Sequence, residues 1–332
     1  MSALRRRTGW TLVGLSLALH VLTVFAFSRQ PDGLAAFTVL PIWTWGGLGL
    51  MLAVFAFYFL RAPLSLVMTG VWAVTLLVGA DEARVLANVG RSKPLPGPAE
   101  RYEGSPVVRV VTMNCAIFGF GNPASDIAAW RPDIVLLQDC YPHQVRQIAD
   151  ALYGGHGDYR SHGSTNAVIT RWKILREVRN PANRDQQVTI GFPDGSSAEV
   201  VNVHLASAAT DLRFWKTSTW SEHRANRSER RGQLSQALRI LEQTTAFPNT
   251  PTLLGGDFNS PAADVVHRQL SRDFMDAFAT AGTGWGNTYH RRFPILRIDL
   301  IYATRHFVPV RSRVVESRHS NHRMVVADYL KR

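Results

Sequence analysis

Asp257 and Asn259 stand two residues apart in Leu253-Leu254-Gly255-Gly256-Asp257-Phe258-Asn259-Ser260. In an extended chain two such side chains point the same way. A carboxylate that can activate a water then lies beside a carboxamide that can hold a phosphoryl oxygen or the same water. The short apolar run before them predicts a buried strand. The two glycines permit a sharp turn and the close approach of another group. The same stretch also fits a strand that simply ends in a polar turn with an Asx cap. The rest of the chain decides between the two.

The elements that must position these groups follow from the apolar runs. Strands are expected at Val107–Met113, Ile134–Leu137, Asn166–Thr170, Ala198–Val203, Thr252–Leu254, Arg297–Tyr302 and Met324–Tyr329. Helical spacing is expected at Pro123–Trp130, His143–Leu152 and Arg231–Glu242, the last with Leu234, Leu238 and Leu241 on one stripe. Asn114, Asp139, His204, Asp257, Asn259 and His322 each fall at or beside the end of a strand, and Asp299 falls inside one. Seven acid, amide or imidazole groups so placed mark one rim of a sheet as a site.

The chain of 332 residues carries a net charge of +12. Residues 1–80 hold five arginines (Arg5, Arg6, Arg7, Arg29 and Arg61) against Asp32, so +4; the remaining +8 lies in residues 81–332. A basic soluble part points to an anionic partner: nucleic acid, a phosphorylated small molecule or a membrane surface. Cys115 and Cys140 are too few for a disulfide scaffold or a four-ligand zinc site. Trp10–Phe27, Pro41–Leu60 and Pro63–Ala80 contain no Asp, Glu, Lys or Arg, and each approaches the ~20 residues of a membrane-spanning helix. Three transmembrane helices are therefore expected in a membrane domain, residues 1–80, with contact to the bilayer through residues 10–80. His20 is the one ionisable group inside these runs. The alternative for the first run is a cleaved signal peptide. Arg5, Arg6 and Arg7 should keep the N-terminus cytoplasmic, so three crossings put the rest of the chain outside the cytoplasm. Residues 81–105 read as a juxtamembrane segment and linker, with Ser92-Lys93-Pro94-Leu95-Pro96-Gly97-Pro98 too proline-rich for a helix or central strand. The soluble domain is expected over 106–332.

Thr112-Met113-Asn114, Leu136-Leu137-Gln138-Asp139, Asn202-Val203-His204, Gly256-Asp257-Phe258-Asn259, Arg297-Ile298-Asp299 and Ser320-Asn321-His322 resemble, in order, the motifs of the endonuclease/exonuclease/phosphatase superfamily, a group that includes pancreatic-type deoxyribonuclease. The resemblance spans about residues 107–330. It implies an α/β four-layer sandwich, two mostly antiparallel β-sheets flanked by helices, and a metal-dependent hydrolase of phosphate esters using Mg2+ or Mn2+. By resemblance Asp139, Asn114 and Asn321 belong to the metal site. Asp257 positions or deprotonates the attacking water, and Asn259 holds a phosphoryl oxygen. His322, partnered by Asp299, stabilises that oxygen or donates a proton, and His204 matches a second phosphate-facing histidine. Two positions depart from the pattern. Asp139 stands where the family has Glu, which shortens the reach by about 1.5 Å. Asn321 stands where the family has Asp, so it can accept a hydrogen bond but brings no charge.

The expected substrate is a phosphodiester, in nucleic acid or a phospholipid headgroup. The alternatives are a phosphomonoester, or a weakened cleft that binds or senses without turnover. Residues 205–231 read as a long insertion in which Arg213, Phe214, Trp215, Lys216, Trp220, Arg224, Arg227, Arg230 and Arg231 interleave basic and aromatic side chains. That composition suits a nucleic-acid strand, a headgroup layer or a solvated lid. If Asn114 and Asp139 face a metal, Cys115 and Cys140 face away on the same side, as a disulfide or as two buried thiols.

Overall fold

The computed structural model describes residues 2–88, 101–102, 105–162, 165–179, 185–208 and 211–332. The proline-rich linker at 92–98 lies outside the described residues. The chain forms two compact units: Met1–Ala87 with Thr210–Arg224, and Asn88–Ala209 with Ala225–Arg332.

The first unit holds α1 (Ala3–Arg29), α2 (Ala35–Val39), α3 (Ile42–Leu60), α4 (Pro63–Gly79) and α5 (Asp81–Val85). Small residues let the long helices close on each other: Gly49 meets Trp72, Gly46 meets Leu76 and Gly9 meets Leu60. Inside this apolar packing the polar atoms find partners. Ser16 Oγ accepts from Trp72 Nε1 at 3.0 Å and donates to the Gly49 carbonyl at 3.1 Å. His20 Nε2 lies 2.9 Å from Thr75 Oγ1, so its imidazole is partnered within the bundle. Arg5 Nη2 donates to the Tyr58 carbonyl, which sets the start of α1 at the end of α3. Trp43 Nε1 donates to Glu82 Oε1, which sets the start of α3 beside the end of α4. Among the described residues two helices, not the three expected, are long and apolar enough to cross a membrane: Ala3–Arg29 and Ile42–Leu60. α4 is apolar but has 17 residues, about 25 Å of helix at 1.5 Å per residue, against a hydrocarbon core of ~30 Å.

Among the described residues, the second unit is built on thirteen strands: β1 (Arg101–Tyr102), β2 (Ser105–Asn114), β3 (Ile134–Gln138), β4 (Asp158–His162), β5 (Asn166–Thr170), β6 (Lys173–Arg179), β7 (Gln186–Gly191), β8 (Ser197–His204), β9 (Thr252–Asp257), β10 (Met275–Asp276), β11 (Asp299–Ala303), β12 (Phe307–Val315) and β13 (Met324–Lys331). They form one sheet in the order β12-β13-β2-β3-β5-β4, with β1 on β2, and another in the order β10-β11-β9-β8-β7-β6. Of these strands, β2–β3 and β8–β9 pair in parallel and the others antiparallel. Period-two alternation assigns each face. Val108, Val110, Ile134, Leu136, Ala198, Val200, Leu253 and Ile301 fill the space between the sheets. Val111, Met113, Val135 and Leu137 pack outward on α6 (Ala124–Ala128) and α7 (Pro142–Tyr153) through Ile127, Val145 and Ile148. Val201, Val203, Leu254 and Leu300 pack outward on Leu234 and Leu241 of α8 (Thr217–Thr244). A further short helix, α9, spans Ala277–Ala281. Helix, sheet, sheet and helix make the four layers.

Three expectations are corrected in detail. α8 begins at Thr217, so most of the expected insertion 205–231 is helix rather than loop. Asp299 is the first residue of β11, not an interior one. The edge strands β4, β6, β10 and β12, together with β7, were not expected from apolar runs. Edge strands are short or charged because an apolar edge invites association, as Lys173, Arg176, Glu177 and Arg179 in β6 illustrate.

Gly256 explains the double glycine. Its φ is +138°, and a Cβ there would sit 2.0 Å from the Val203 carbonyl oxygen of the neighbouring parallel strand. Gly256→Ala is expected to destabilise the second unit by about 3 kcal/mol or more through forbidden backbone and steric overlap. Urea denaturation followed by circular dichroism measures it; an unchanged midpoint would contradict the tightness of the β8–β9 contact.

Candidate active site

The pairing pattern by itself brings the polar strand ends together. Parallel β2 and β3 end side by side, with Asn114 opposite Gln138. Parallel β8 and β9 likewise end with His204 opposite Asp257. Antiparallel β11 starts where β9 stops, with Asp299 opposite Asp257. β13 is antiparallel to β2, so His322, two residues before it, arrives at the end of β2. All of these groups therefore lie on one rim of the sandwich. Their inward direction also follows from parity. Val108, Val110, Thr112 and Asn114 share a face, as do Ala198, Val200, Asn202 and His204. The space between the sheets is apolar at depth and polar at the rim.

Under the rim is a polar floor. Gln138 Nε2 donates to Asn202 Oδ1 at 2.7 Å, and Asn202 Nδ2 donates to the carbonyls of Leu137 and Ala167 at 2.9 Å each. Above it, Asn114 Nδ2 donates across the sheets to Asp257 Oδ2 at 3.0 Å. Asp257 Oδ1 accepts from the Asn259 amide at 2.8 Å. His204 Nε2 and His322 Nε2 face Asp257 Oδ2 at 3.8 and 3.9 Å. Those gaps are too long for direct hydrogen bonds, so an oxygen bonded to both carboxylate and imidazole would sit beside the N···O line rather than on it. Asp139 lies 3.6 Å from His204 Nδ1 and 3.4 Å from Asn114 Nδ2. Asp139 and Asn259 both have left-handed backbone, φ +48° and +47°, a conformation that short polar side chains tolerate better than others. It swings each one off the axis of its strand. Asn259 Nδ2 is held by the Leu205 carbonyl at 3.0 Å, and one N–H of that amide remains for a ligand.

His322 is the most strongly polarised group. Its Nδ1 lies 2.9 Å from Asp299 Oδ2, which points Nε2 toward Asp257. Burial alone would push its pKa down. The carboxylates of Asp299 and Asp257, the hydrogen bond to Asp299 and the charge of Asp139 outweigh burial and lift it to about 9. Burial raises the Asp299 carboxyl above its ordinary value, and the His322 charge opposes that rise.

A hard cation has two candidate places here. The ligand atoms of Asp257, Asp299 and His322 lie within 4.8 Å of one another. A cation among them would need His322 as a neutral imidazole, ligating through Nε2 if Nδ1 is to keep its bond to Asp299. Asp139 offers a half-exposed carboxylate, and Asn321 Oδ1 is buried without a hydrogen-bond partner among the described residues. Carboxylate and amide oxygens are the donors that Mg2+ prefers. Asn114 Oδ1 accepts from the Ala116 amide and keeps a second lone pair. Asp139, Asn114 and Asn321 are thus a second candidate set of oxygen donors for a divalent cation.

Several further residues support the rim. Ser320 Oγ donates to the Asn114 carbonyl at 2.6 Å and accepts from the His322 amide at 3.0 Å. Thr288 Oγ1 accepts from the Asp299 amide at 3.1 Å, and the Tyr289 ring lies 4.9 Å from that of His322. Gln233 Oε1 accepts from the Ala206 amide at 2.7 Å, while Arg230 Nη1 reaches the Ala206 and Ser207 carbonyls at 3.5 and 3.4 Å. Burial pulls the Arg230 guanidinium down to about 10, so it stays charged at neutral pH. Gln138, Asn202 and Ser320 fall inside the motifs quoted above and Arg230 inside the basic and aromatic stretch 205–231, whereas Thr288 and Tyr289 give no signal in the sequence. Cys115 and Cys140 are both buried and free, packed with the outward cluster against α6 and α7. Their thiols meet, and the hydrogen bond to Cys140 and burial push the Cys115 pKa up.

The Endonuclease/Exonuclease/phosphatase family matches residues 117–322. No curated protein matches the chain. Among solved structures, the fold is similar to an endonuclease/exonuclease/phosphatase from Bacteroides vulgatus, with a TM-score of 0.55, 17% identity and coverage of 68% of this chain and 99% of that one. It is similar to a mannosyl-6-phosphatase from Bacteroides thetaiotaomicron, with a TM-score of 0.55, 16% identity and coverage of 67% and 99%. It is also similar to D. rerio TDP2 complexed with single strand DNA product, with a TM-score of 0.51, 15% identity and coverage of 67% and 98%.

Proposed function

The chain belongs to the endonuclease/exonuclease/phosphatase family and is a phosphate-ester hydrolase, and from that premise we propose that it is a membrane-anchored, Mg2+-dependent phosphodiesterase. The observation that carries the reading is the surround of Asp257. Its carboxylate is fixed by Asn114 at 3.0 Å and faced by two imidazole nitrogens at 3.8 and 3.9 Å, so a carboxylate and two imidazole edges converge on one point of the rim.

Asp139, with Asn114 and Asn321, holds the cation in this proposal. A divalent ion held there would supply charge neutralisation to the phosphoryl oxygens. Asp257 accepts the proton of the attacking water and orients it in line with the leaving group. Asn114 keeps that carboxylate in one rotamer. His322, charged at neutral pH, presents Nε2–H to the phosphoryl group as charge accumulates, and Asp299, bound at Nδ1, orients the ring and holds its charge. His204 Nε2 faces the same carboxylate from the other side, and the free N–H of Asn259 donates to a phosphoryl oxygen.

Solved neighbours include a mannosyl-6-phosphatase and a protein complexed with a single strand DNA product, which fits a phosphate-ester substrate and does not choose between monoester and diester. The charge of +8 over residues 81–332 favours an extended polyanion, nucleic acid or a headgroup layer. The proposed division is a membrane domain at 1–80, a linker at 81–105 and a catalytic domain at 106–332. α1 and α3 cross the bilayer, and α4 returns along α3. The chain then leaves the helical unit at the end opposite Arg5, Arg6 and Arg7, which supports a catalytic domain outside the cytoplasm.

The test uses the full chain in detergent micelles, with bis(p-nitrophenyl) phosphate and p-nitrophenyl phosphate side by side. Diester hydrolysis is expected with Mg2+, abolished by EDTA and restored by Mg2+ or Mn2+. Faster turnover of the monoester would move the reading to a phosphomonoesterase. Silence on both model esters, on single-stranded DNA and on phospholipid would leave a binding module.

A further inference from the structure

Asp211–Arg224 follows the catalytic strand β8 in the chain, yet it clusters with the apolar helices. Phe214 lies 6.2 Å, ring to ring, from Trp45. Trp45 in turn stacks on Phe37 at 3.9 Å and donates its Nε1–H to the Phe37 carbonyl at 3.0 Å. Trp220 Nε1 donates to the Phe214 carbonyl at 2.8 Å, and His223 Nε2 lies 2.9 Å from the Asp211 carbonyl. The segment is thus folded back on itself with its rings held together. It sits at the end of the bundle where α3 starts and α4 stops, the end marked by Trp43 and Glu82. Trp and Tyr concentrate at that level of a membrane protein because a ring with one polar atom suits the boundary between acyl chains and headgroups.

Two side chains of the segment face outward without cover: Trp215 is 80% exposed and Leu212 45%. An exposed tryptophan beside an exposed leucine is costly in water. Within the same unit α3 also carries exposed apolar side chains, Phe55 at 51% among them. Arg213, Lys216 and Arg224 lie close in sequence, with Asp211 and Glu222 leaving a net charge of +1. Arg213 is tied to Asp211 at 2.7 Å. So small a charge makes insertion of apolar side chains, rather than charge attraction, the main contribution, with cations left at phosphate level. We propose that Asp211–Arg224 is an interfacial foot that rests in the headgroup region of the bilayer crossed by α1 and α3, with Leu212 and Trp215 at the acyl boundary. The proposal rests on the membrane reading of the helical unit given above. It takes a lipid surface as the partner of this segment, in place of a nucleic-acid strand.

The experiment reconstitutes the full chain in vesicles of phosphatidylcholine and phosphatidylglycerol. A nitroxide is attached, one site at a time, at Trp215→Cys, at Phe55→Cys in α3 and at Ser271→Cys on the exposed surface of the second unit. Cys115 and Cys140 are buried, and wild-type protein carried through the same labelling gives the blank. The readout is the ratio of collisions with oxygen, which partitions into lipid, to collisions with a water-soluble nickel chelate. The ratio at position 215 is expected to exceed that at 271 several-fold and to fall below that at 55. A lipid-like value at 55 with an aqueous value at 215 overturns the foot and leaves the membrane reading intact. An aqueous value at 55 overturns both. A change at 215 on adding a single-stranded oligonucleotide assigns the segment to nucleic acid and overturns the lipid proposal.

Discussion

Asp257→Asn is expected to lower kcat for Mg2+-dependent diester hydrolysis by about 1,000-fold, the middle of the range for loss of a positioned general base, while leaving the fold intact. The substitution keeps an oxygen to accept the Asn259 amide, which Asp257 Oδ1 now binds at 2.8 Å. It removes the charge and the basic lone pair, and it turns the oxygen that accepts from Asn114 into a donor, so that hydrogen bond is lost unless the Asn114 amide turns over. At about 1.36 kcal/mol per decade the loss corresponds to about 4 kcal/mol of transition-state stabilisation. That is more than one ordinary hydrogen bond contributes and in line with loss of a proton acceptor. KM should move much less, because Asn114 and the two histidines still shape the cleft. The measurement is kcat and KM with and without Mg2+, with circular dichroism to show that melting is unchanged. A residual rate above about a tenth of wild type, far outside the range for a lost general base, would remove Asp257 from the chemistry.

The second large effect concerns His322. With a pKa lifted to about 9, its imidazolium should persist through neutral pH in metal-free protein. A raised pKa means that the folded state holds the proton more tightly than the unfolded chain does. The stabilisation is therefore complete below the unfolded value of ~6.5 and is lost as pH rises through about 9. Its ceiling is on the order of 3 kcal/mol, because each tenfold gain in proton affinity is worth about 1.36 kcal/mol. In metal-free protein, His322→Gln should be less stable than wild type at pH ~6, and the two should converge above pH ~9. Asp299→Asn should drop the imidazole titration below neutrality, because burial then acts with less opposition. Urea denaturation across pH and nuclear magnetic resonance of the ring nitrogens read both effects. A wild-type ring that titrates near its ordinary value of ~6.5 would show that the Asp299 and Asp257 charges do not outweigh burial. His322→Ala should also cost kcat about 100-fold or more, as loss of a positioned proton donor does.

The catalytic rim was legible because it is the continuation of strands whose parity is fixed by their cores. Val108 and Val110 face the opposite sheet, so Thr112 and Asn114 must face it too. The central strands announce themselves by unbroken apolar runs such as Ile134–Leu137. The edge strands do not, since one side of each meets water and carries charges such as Arg176 and Arg313. α8 shows a different failure. Its buried positions Thr219, His223, Arg227, Arg230, Leu234, Ala237 and Leu241 recur every three or four residues, a continuous helical stripe. Only the last three are apolar, so a search for hydrophobic periodicity starts the helix near Arg231. The first half buries polar side chains instead, as with Arg227, whose guanidinium pairs with Asp264 at 2.9 Å. Thr288 and Tyr289 were invisible for a third reason. They support Asp299 and His322 through contacts distant in sequence, and no local pattern encodes those.

The bond from Asn114 to Asp257 joins the two sheets directly above the Gln138–Asn202 floor. Neither sheet alone owns a working cleft: one supplies Asn114, Asp139 and His322, the other His204, Asp257 and Asp299. If the proposed chemistry holds, the rim is a gauge of how the sandwich halves are docked. A slip of one half against the other by a single pleat, ~3.3 Å, would separate water activation from phosphate neutralisation while every strand kept its ladder. Catalysis should thus fail early, before secondary structure is lost, whenever denaturant or mutation loosens the seam.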